Sequence, residues 1–229
     1  MKPVAILHTN LKGKFGLPRQ GTVNPGLRST VVLEPEYRNP DAFRGLSDFS
    51  HIWLIWEFSD VIAKREQAKE PYTFSPTVRP PRLGGNRRLG VFATRSPNRP
   101  NPIGISAVKL EEVRLEGPDG PTLVVSGADL MDGTPILDIK PYIPYSDSIP
   151  NAAEGFTAGL SDLSLHVEFP KPLLNRVQEE NREELLGILS HDPRPQYQRD
   201  PSRIYGLSYL NFDVKFRIEG DVLTVVDLI

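Results

Sequence analysis

Between Arg95 and Gly104 the chain reads Arg-Ser-Pro-Asn-Arg-Pro-Asn-Pro-Ile-Gly, two guanidinium groups and two carboxamides set among three prolines. Prolines at 97, 100 and 102 fix their own φ and push the residues before them toward extended or turn conformations. The loop is therefore stiff before any ligand arrives, which spares a binding site the cost of ordering it. Arg95 and Arg99 carry planar forks suited to a carboxylate or a phosphate. Asn98 and Asn101 present donor and acceptor together, the pairing that reads an adenine edge. On composition alone, a proline-stiffened connection with solvated arginines has the same sequence.

Two further blocks carry chemistry. From Asp129 to Asp147, apolar residues alternate with Asp, Lys and Tyr; strand periodicity puts Ile136, Asp138, Lys140 and Tyr142 on one face and Leu137, Ile139 and Pro141 on the other. Such a face either meets water or lines a polar cleft. Thr134-Pro135 and Pro141 point to an edge or barrel-rim strand rather than a central one. The second block holds Arg79, Arg82, Arg87 and Arg88, four arginines in ten residues with two glycines between them, a composition suited to phosphate backbone or to a solvated charged face. His51 at a strand start, taken by itself, reads as a structural histidine rather than a catalyst. Trp53 and Trp56 should point to opposite faces of their strand, so at most one is a stacking platform.

These blocks must be positioned by a mainly β scaffold. With 23 prolines scattered along 229 residues, few windows before Pro170 hold a long helix. Short apolar segments at 4–7, 30–33, 51–58, 90–94, 103–110 and 123–125 are bounded by Pro, Gly, Asn or Asp, the pattern of a β-sandwich or barrel. A short helix is expected over Pro40–Leu46, capped by Asn39. The texture changes after Phe169: residues 173–189 read as a helix, followed by strands over 204–218 and 222–226 joined by Glu219-Gly220-Asp221. The expected organisation is a barrel domain over residues 1–165 and a small α+β domain over 166–229.

Composition excludes much else. The net charge of −2 argues against wholesale electrostatic binding of nucleic acid but not against a local basic patch. With no Cys there is no disulfide and no thiolate chemistry, which fits a cytoplasmic protein. No run is apolar enough to span a membrane as a helix, and the start of the chain lacks a signal-peptide core. The chain has no dinucleotide fingerprint, phosphate loop or nucleophile elbow, and its four His are far apart, so no metal site is expected. Any chemistry must come from Arg, Asn, Asp, Tyr and backbone groups.

The segment Gly90–Gly104, the stretch Asp132-Gly-Thr-Pro-Ile-Leu-Asp-Ile-Lys-Pro-Tyr142, the early Lys14-Phe-Gly-Leu-Pro-Arg-Gln20 and Arg79-Pro-Pro-Arg-Leu-Gly-Gly-Asn86 together resemble the TsaA-like family, which includes tRNA methyltransferases. The tail from Pro172 looks like the longer bacterial form with an extra domain. The resemblance implies a small non-Rossmann barrel that binds S-adenosylmethionine, works as a homodimer, and methylates the exocyclic nitrogen of N6-threonylcarbamoyladenosine beside the anticodon of threonine tRNA. That nitrogen is urea-like, with a delocalised lone pair, so methyl transfer needs a base or strong acceptor near its proton. Asp138 is the first candidate, with Asp132 or Asn101 as substitutes and Tyr142 stacking on a base or facing the sulfonium. Arg95 suits the methionine carboxylate and Asn98 to Asn101 the adenosine. Gln20, His51, Ser96, Arg99, Pro100, Asp132, Thr134 and Lys140 complete the candidate cofactor site, and Arg79, Arg82, Arg87 and Arg88 are the candidate tRNA contacts. Two rival readings are a non-enzymatic RNA-binding barrel and a barrel methyltransferase with another acceptor.

Overall fold

The computed structural model describes residues 1–11, 27–80, 87–158, 164–194 and 200–229. Six strands close into an antiparallel barrel: β1 (Ala5–Thr9), β2 (Arg28–Leu33), β3 (His51–Glu57), β6 (Ile103–Arg114), β7 (Thr122–Ser126) and β8 (Thr134–Pro141), in the order β1-β2-β7-β6-β3-β8. Their inward residues, among them Leu7, Val31, Ile52, Leu54, Val108 and Leu123, form one core. Most of these strands are short and rich in β-branched residues, β6 being the long one, and alternation gives each one wall in the core and one outside. Trp56 faces inward, packed against this core, and Trp53 faces the outer wall, as the alternation requires.

The strand β8 departs from the simple pattern in two ways. A closed barrel has no edge, so β8 is not an edge strand: its first residues pair with β1 and its later ones with β3. Its face also switches. Ile55 lies opposite Asp138 but Trp56 opposite Ile136, so one extra residue is inserted at Leu137. Before this bulge Thr134 and Ile136 face the core; after it Ile139 takes the core side, opposite Leu54. Ile136 therefore does not share a face with Asp138 and Lys140, because a bulge resets a period-2 pattern by one residue.

The excursion between β3 and β6 carries a helix and a ribbon. Helix α1 (Ser59–Gln67) buries none of its residues, so no apolar period marks it in the sequence. Strands β4 (Thr77–Val78) and β5 (Leu89–Gly90) pair as a two-stranded ribbon. The strand expected over 90–94 ends at Gly90; Val91–Ala93 instead makes a 3-10 turn into the loop, closed by the Thr94 hydroxyl donating to the Val91 carbonyl at 2.9 Å. The expected helix at Pro40 is a single 3-10 turn, Pro40–Phe43, with the Asn39 side chain accepting from the Asp41 amide. A short α2 (Pro144–Asp147) follows β8.

The C-terminal sheet runs β10 (Tyr205–Tyr209), β11 (Phe212–Glu219), β12 (Val222–Leu228), β9 (His166–Glu168), with β9 parallel to β12. The helix expected over 173–189 is two, α3 (Lys171–Leu174) and α4 (Glu179–Ser190). Between Val177 and Leu185 there is no apolar residue to bury, and the chain turns extended at Gln178. The strand expected over 204–218 is likewise a hairpin, broken where Leu210 adopts φ 52° and its amide reaches the Asn10 carbonyl at 3.4 Å. Leu185, Ile188 and Leu189 of α4 cover the sheet, and Leu11 and Leu27, flanking the barrel strands, are buried in the same cluster.

Candidate active site

The loop from Arg95 to Pro102 joins the β5 turn to the start of β6 and lies at the end of the barrel where β3 finishes. It is wired internally. Thr94 Oγ1 accepts from the Ser96 amide at 3.3 Å, Ser96 Oγ from the Asn98 amide at 3.2 Å, and the Arg99 side chain donates to the Thr94 carbonyl at 3.1 Å. Arg95, Asn98, Pro100 and Asn101 are exposed, with Ser96 and Arg99 half-buried. The loop thus turns one arginine inward as a brace and leaves the other free to meet a ligand. Gly104, the second residue of β6, has a packing reason: a Cβ there would collide with the Trp56 ring.

That ring starts a relay into the barrel mouth. Trp56 Nε1 donates to Ser106 Oγ at 3.1 Å, and Ser106 Oγ donates to Asp129 Oδ1 at 2.6 Å. Burial pushes the Asp129 carboxyl above its ordinary value, against the opposing effects of the Ser106 hydrogen bond and the positive charge of Arg95. A half-buried carboxylate in the field of an exposed arginine, hydrogen-bonded by a hydroxyl, is an arrangement that perturbs protonation at functional sites. Asp129 is not marked as a site residue by the sequence; the signal lies in its place directly after Leu123–Ala128, every residue of which is buried.

The remaining candidates are spread along the outer wall and the turns. Asp138 lies opposite Ile55, near the loop-bearing end of β3, with Oδ1 accepting from the Ile139 amide at 2.9 Å and Oδ2 3.2 Å from Lys140 Nζ. Lys140 lies opposite Trp53, one step further from the loop on that wall. Tyr142 and His51 sit at the far end: the Tyr142 amide donates to the His51 carbonyl at 3.0 Å, and its ring tilts against Trp53 with centroids 5.4 Å apart. At ~3.4 Å per residue, Tyr142 is roughly 14 Å of strand beyond Asp138. Asp132 is held elsewhere, 3.2 Å from His8 Nδ1 and accepting from the Thr9 amide at 3.2 Å. The buried Thr134 hydroxyl donates to the Met131 carbonyl at 2.7 Å, closing the turn at Gly133. Gln20 and Arg82 lie outside the described residues.

The ribbon projects the remaining arginines. Arg79, Arg87 and Arg88 are exposed at its tip, where Arg88 Nη1 donates to Thr77 Oγ1 at 3.4 Å. At its base the rings of Phe74 and Phe92 stack, centroids 6.1 Å apart, and Phe92 is 74% exposed. Guanidinium groups and open ring faces thus lie on one ribbon that leads into the Arg95 loop.

These features define a mainly β protein: a closed, non-Rossmann barrel with a stiff Arg/Asn loop at its mouth, followed by an α+β unit. Residues 6–148 match the family described as tRNA-methyltransferase O N-terminal domain, and residues 162–229 match the TrmO C-terminal domain. A putative S-adenosylmethionine-dependent methyltransferase RcsF of Pseudomonas aeruginosa is 38% identical over 237 residues, covering 100% of this chain and 96% of that protein. The tRNA (adenine(37)-N6)-methyltransferase of Escherichia coli is 37% identical, covering 94% and 91%. A crystal structure of TrmO from Pseudomonas aeruginosa superposes with a TM-score of 0.74 at 32% identity, covering 100% of this chain and 97% of that one. The chain belongs to the tRNA-methyltransferase O family, and the TsaA-like resemblance read from its motifs is this membership.

Proposed function

We propose that this enzyme methylates the N6 nitrogen of adenosine 37 of tRNA, and that its acceptor is N6-threonylcarbamoyladenosine in threonine tRNA. The observation that carries the reading is the Arg95 loop beside Asp129 at the mouth of the barrel. The donor set fits S-adenosylmethionine: an exposed guanidinium for its carboxylate (Arg95), carboxamides for its adenine edge (Asn98, Asn101), and a carboxyl group for the sulfonium side (Asp129). When bound, S-adenosylmethionine supplies an electrophilic methyl group; the chain's own residues orient, exclude water and accept a proton.

Asp138 is the proposed proton acceptor, since its carboxylate is half-exposed and it lies nearer the loop than Lys140 or Tyr142 on the outer wall. Lys140 Nζ, 3.2 Å away, holds its direction. Tyr142 and His51 lie further along that wall, so a second copy of the chain is the proposed route by which a wall and a loop meet in one site. In this reading the enzyme is a homodimer working in the cytoplasm. Arg79, Arg87 and Arg88 contact tRNA phosphates, and the barrel domain and the C-terminal domain divide at residues 165/166.

The test is methyl incorporation from labelled S-adenosylmethionine into total tRNA prepared with and without threonylcarbamoyl groups. Incorporation confined to the threonylcarbamoylated pool is expected. Equal incorporation into both pools would overturn the acceptor, and none into either would overturn the activity.

A further inference from the structure

The Arg95 loop has a backbone problem that its own sequence creates. Pro97, Pro100 and Pro102 carry no N–H, so a loop this rich in proline offers few internal donors for its own carbonyls. The Arg99 amide meets the Pro97 carbonyl at 2.9 Å and the Ile103 amide the Asn101 carbonyl at 2.8 Å, while the Arg99, Pro100 and Pro102 carbonyls draw on the segment around α1. The Phe58 amide donates to the Pro102 carbonyl at 2.9 Å. Arg65 Nη2 donates to the Arg99 carbonyl at 2.7 Å and Nη1 to the Pro100 carbonyl at 3.1 Å. The Arg65 guanidinium is itself fixed in plane by the Tyr72 ring, whose centroid is 3.7 Å from its Cζ. A groove of about 350 Å³ runs between this stack and the loop, lined by Lys64, Arg65, Tyr72 and Asn98 among others.

We propose that Arg65, stacked on Tyr72, is a positioning residue that clamps the loop in its ligand-binding form, so that affinity for S-adenosylmethionine depends on a side chain outside the cofactor site. The inference rests on the loop being the cofactor cradle. Its physical content is the fork: two donors in one rigid plane satisfy two adjacent carbonyls, which a lysine ammonium on a flexible stem cannot reproduce. The clamp also explains why a helix that buries nothing is retained beside the barrel: α1 is the arm that carries Arg65.

The test compares the full-length protein with Arg65→Ala, Arg65→Lys and Tyr72→Leu variants, using three readouts. Amide exchange at residues 98–103 is followed without cofactor, S-adenosylmethionine affinity is measured by calorimetry, and thermal midpoints are recorded. Faster exchange confined to the loop and about tenfold weaker affinity are expected for Arg65→Ala, with an unchanged midpoint. Arg65→Lys should restore neither property, and Tyr72→Leu should fall between. In turnover, KM for S-adenosylmethionine should rise while kcat holds. Wild-type exchange and affinity in Arg65→Ala, alongside lost affinity in Asn98→Ala, would overturn the clamp and leave the cradle standing. Wild-type affinity in Arg95→Ala and Asn98→Ala as well would remove the cradle, and the clamp with it. A lowered midpoint in Arg65→Ala with full rescue by Arg65→Lys would make Arg65 a structural residue only.

Discussion

At Arg95 and Asp129 the chain sets an exposed cation beside a carboxylate that burial holds above its ordinary value. Asp138, on the outer wall, has a different setting: it is half-exposed and 3.2 Å from Lys140. Carboxylates in such different surroundings suit different tasks, one ordering the cofactor side and one taking a proton. Arg95→Ala should raise the dissociation constant for S-adenosylmethionine by ~10–100-fold, the worth of a charge-assisted hydrogen bond, as read by calorimetry. Asp138→Asn should slow single-turnover methyl transfer by about 10²-fold or more with cofactor affinity kept. Full-rate turnover in that variant would move the proton acceptor to Asp129 or Asp132.

Among elements, β6 and β3 meet where Gly104 lies under the Trp56 ring. Gly104→Ala should cost about 1–3 kcal/mol, because the ring must move and the relay to Ser106 and Asp129 moves with it. Chemical denaturation checks this; in a Trp56→Leu background the same substitution should cost little, since nothing remains to clash. Helix α4 offers a second test. Glu184 is buried between Asn10, whose Nδ2 lies 3.2 Å from its Oε2, and the C-terminal sheet; burial pushes its carboxyl from 4.5 up to about 7. An acid whose folded value is raised ionises first in the unfolded chain, so its effect on stability is lost progressively as pH rises from about 4.5 to about 7. Glu184→Gln should therefore raise the thermal midpoint at pH 8 and lose that advantage below pH 4.5. A midpoint difference that does not vary with pH would exclude this account.

For the molecule as a whole, tRNA must be met by a chain of net charge −2, so attraction has to be local. The ribbon supplies it with Arg79, Arg87 and Arg88 ahead of the Phe74–Phe92 pair. Arg87→Ala with Arg88→Ala should weaken tRNA binding and flatten the salt dependence by about one unit of slope per lost contact, with cofactor affinity unaffected. Whether loop and wall meet across two copies is decided by mixing an Arg95→Ala chain with an Asp138→Asn chain. Recovered activity is expected for a shared site, whereas silence would confine the chemistry to one subunit.

Much of this was legible in the residues. Proline spacing fixed the stiff loop, period-2 alternation put Trp53 and Trp56 on opposite faces, and short β-branched runs between turn residues indicated a mainly β scaffold. Local rules reach that far because φ restriction and side-chain alternation act within a few residues. The bulge at Leu137, which parts Ile136 from Asp138, leaves no mark in composition, since it is fixed by pairing with β3 and β1 at once. Helix α1 was invisible because it buries nothing, and α3 and α4 read as one helix because a gap in apolar residues looks like a polar face until the sheet is in place. Asp129 became notable only when barrel closure desolvated it against Ser106 and within the field of Arg95. The sequence by itself determined which groups are present and how stiffly each is held. Tertiary structure alone decided which of them share a dielectric environment, because burial and charge act through space between strands far apart in the chain.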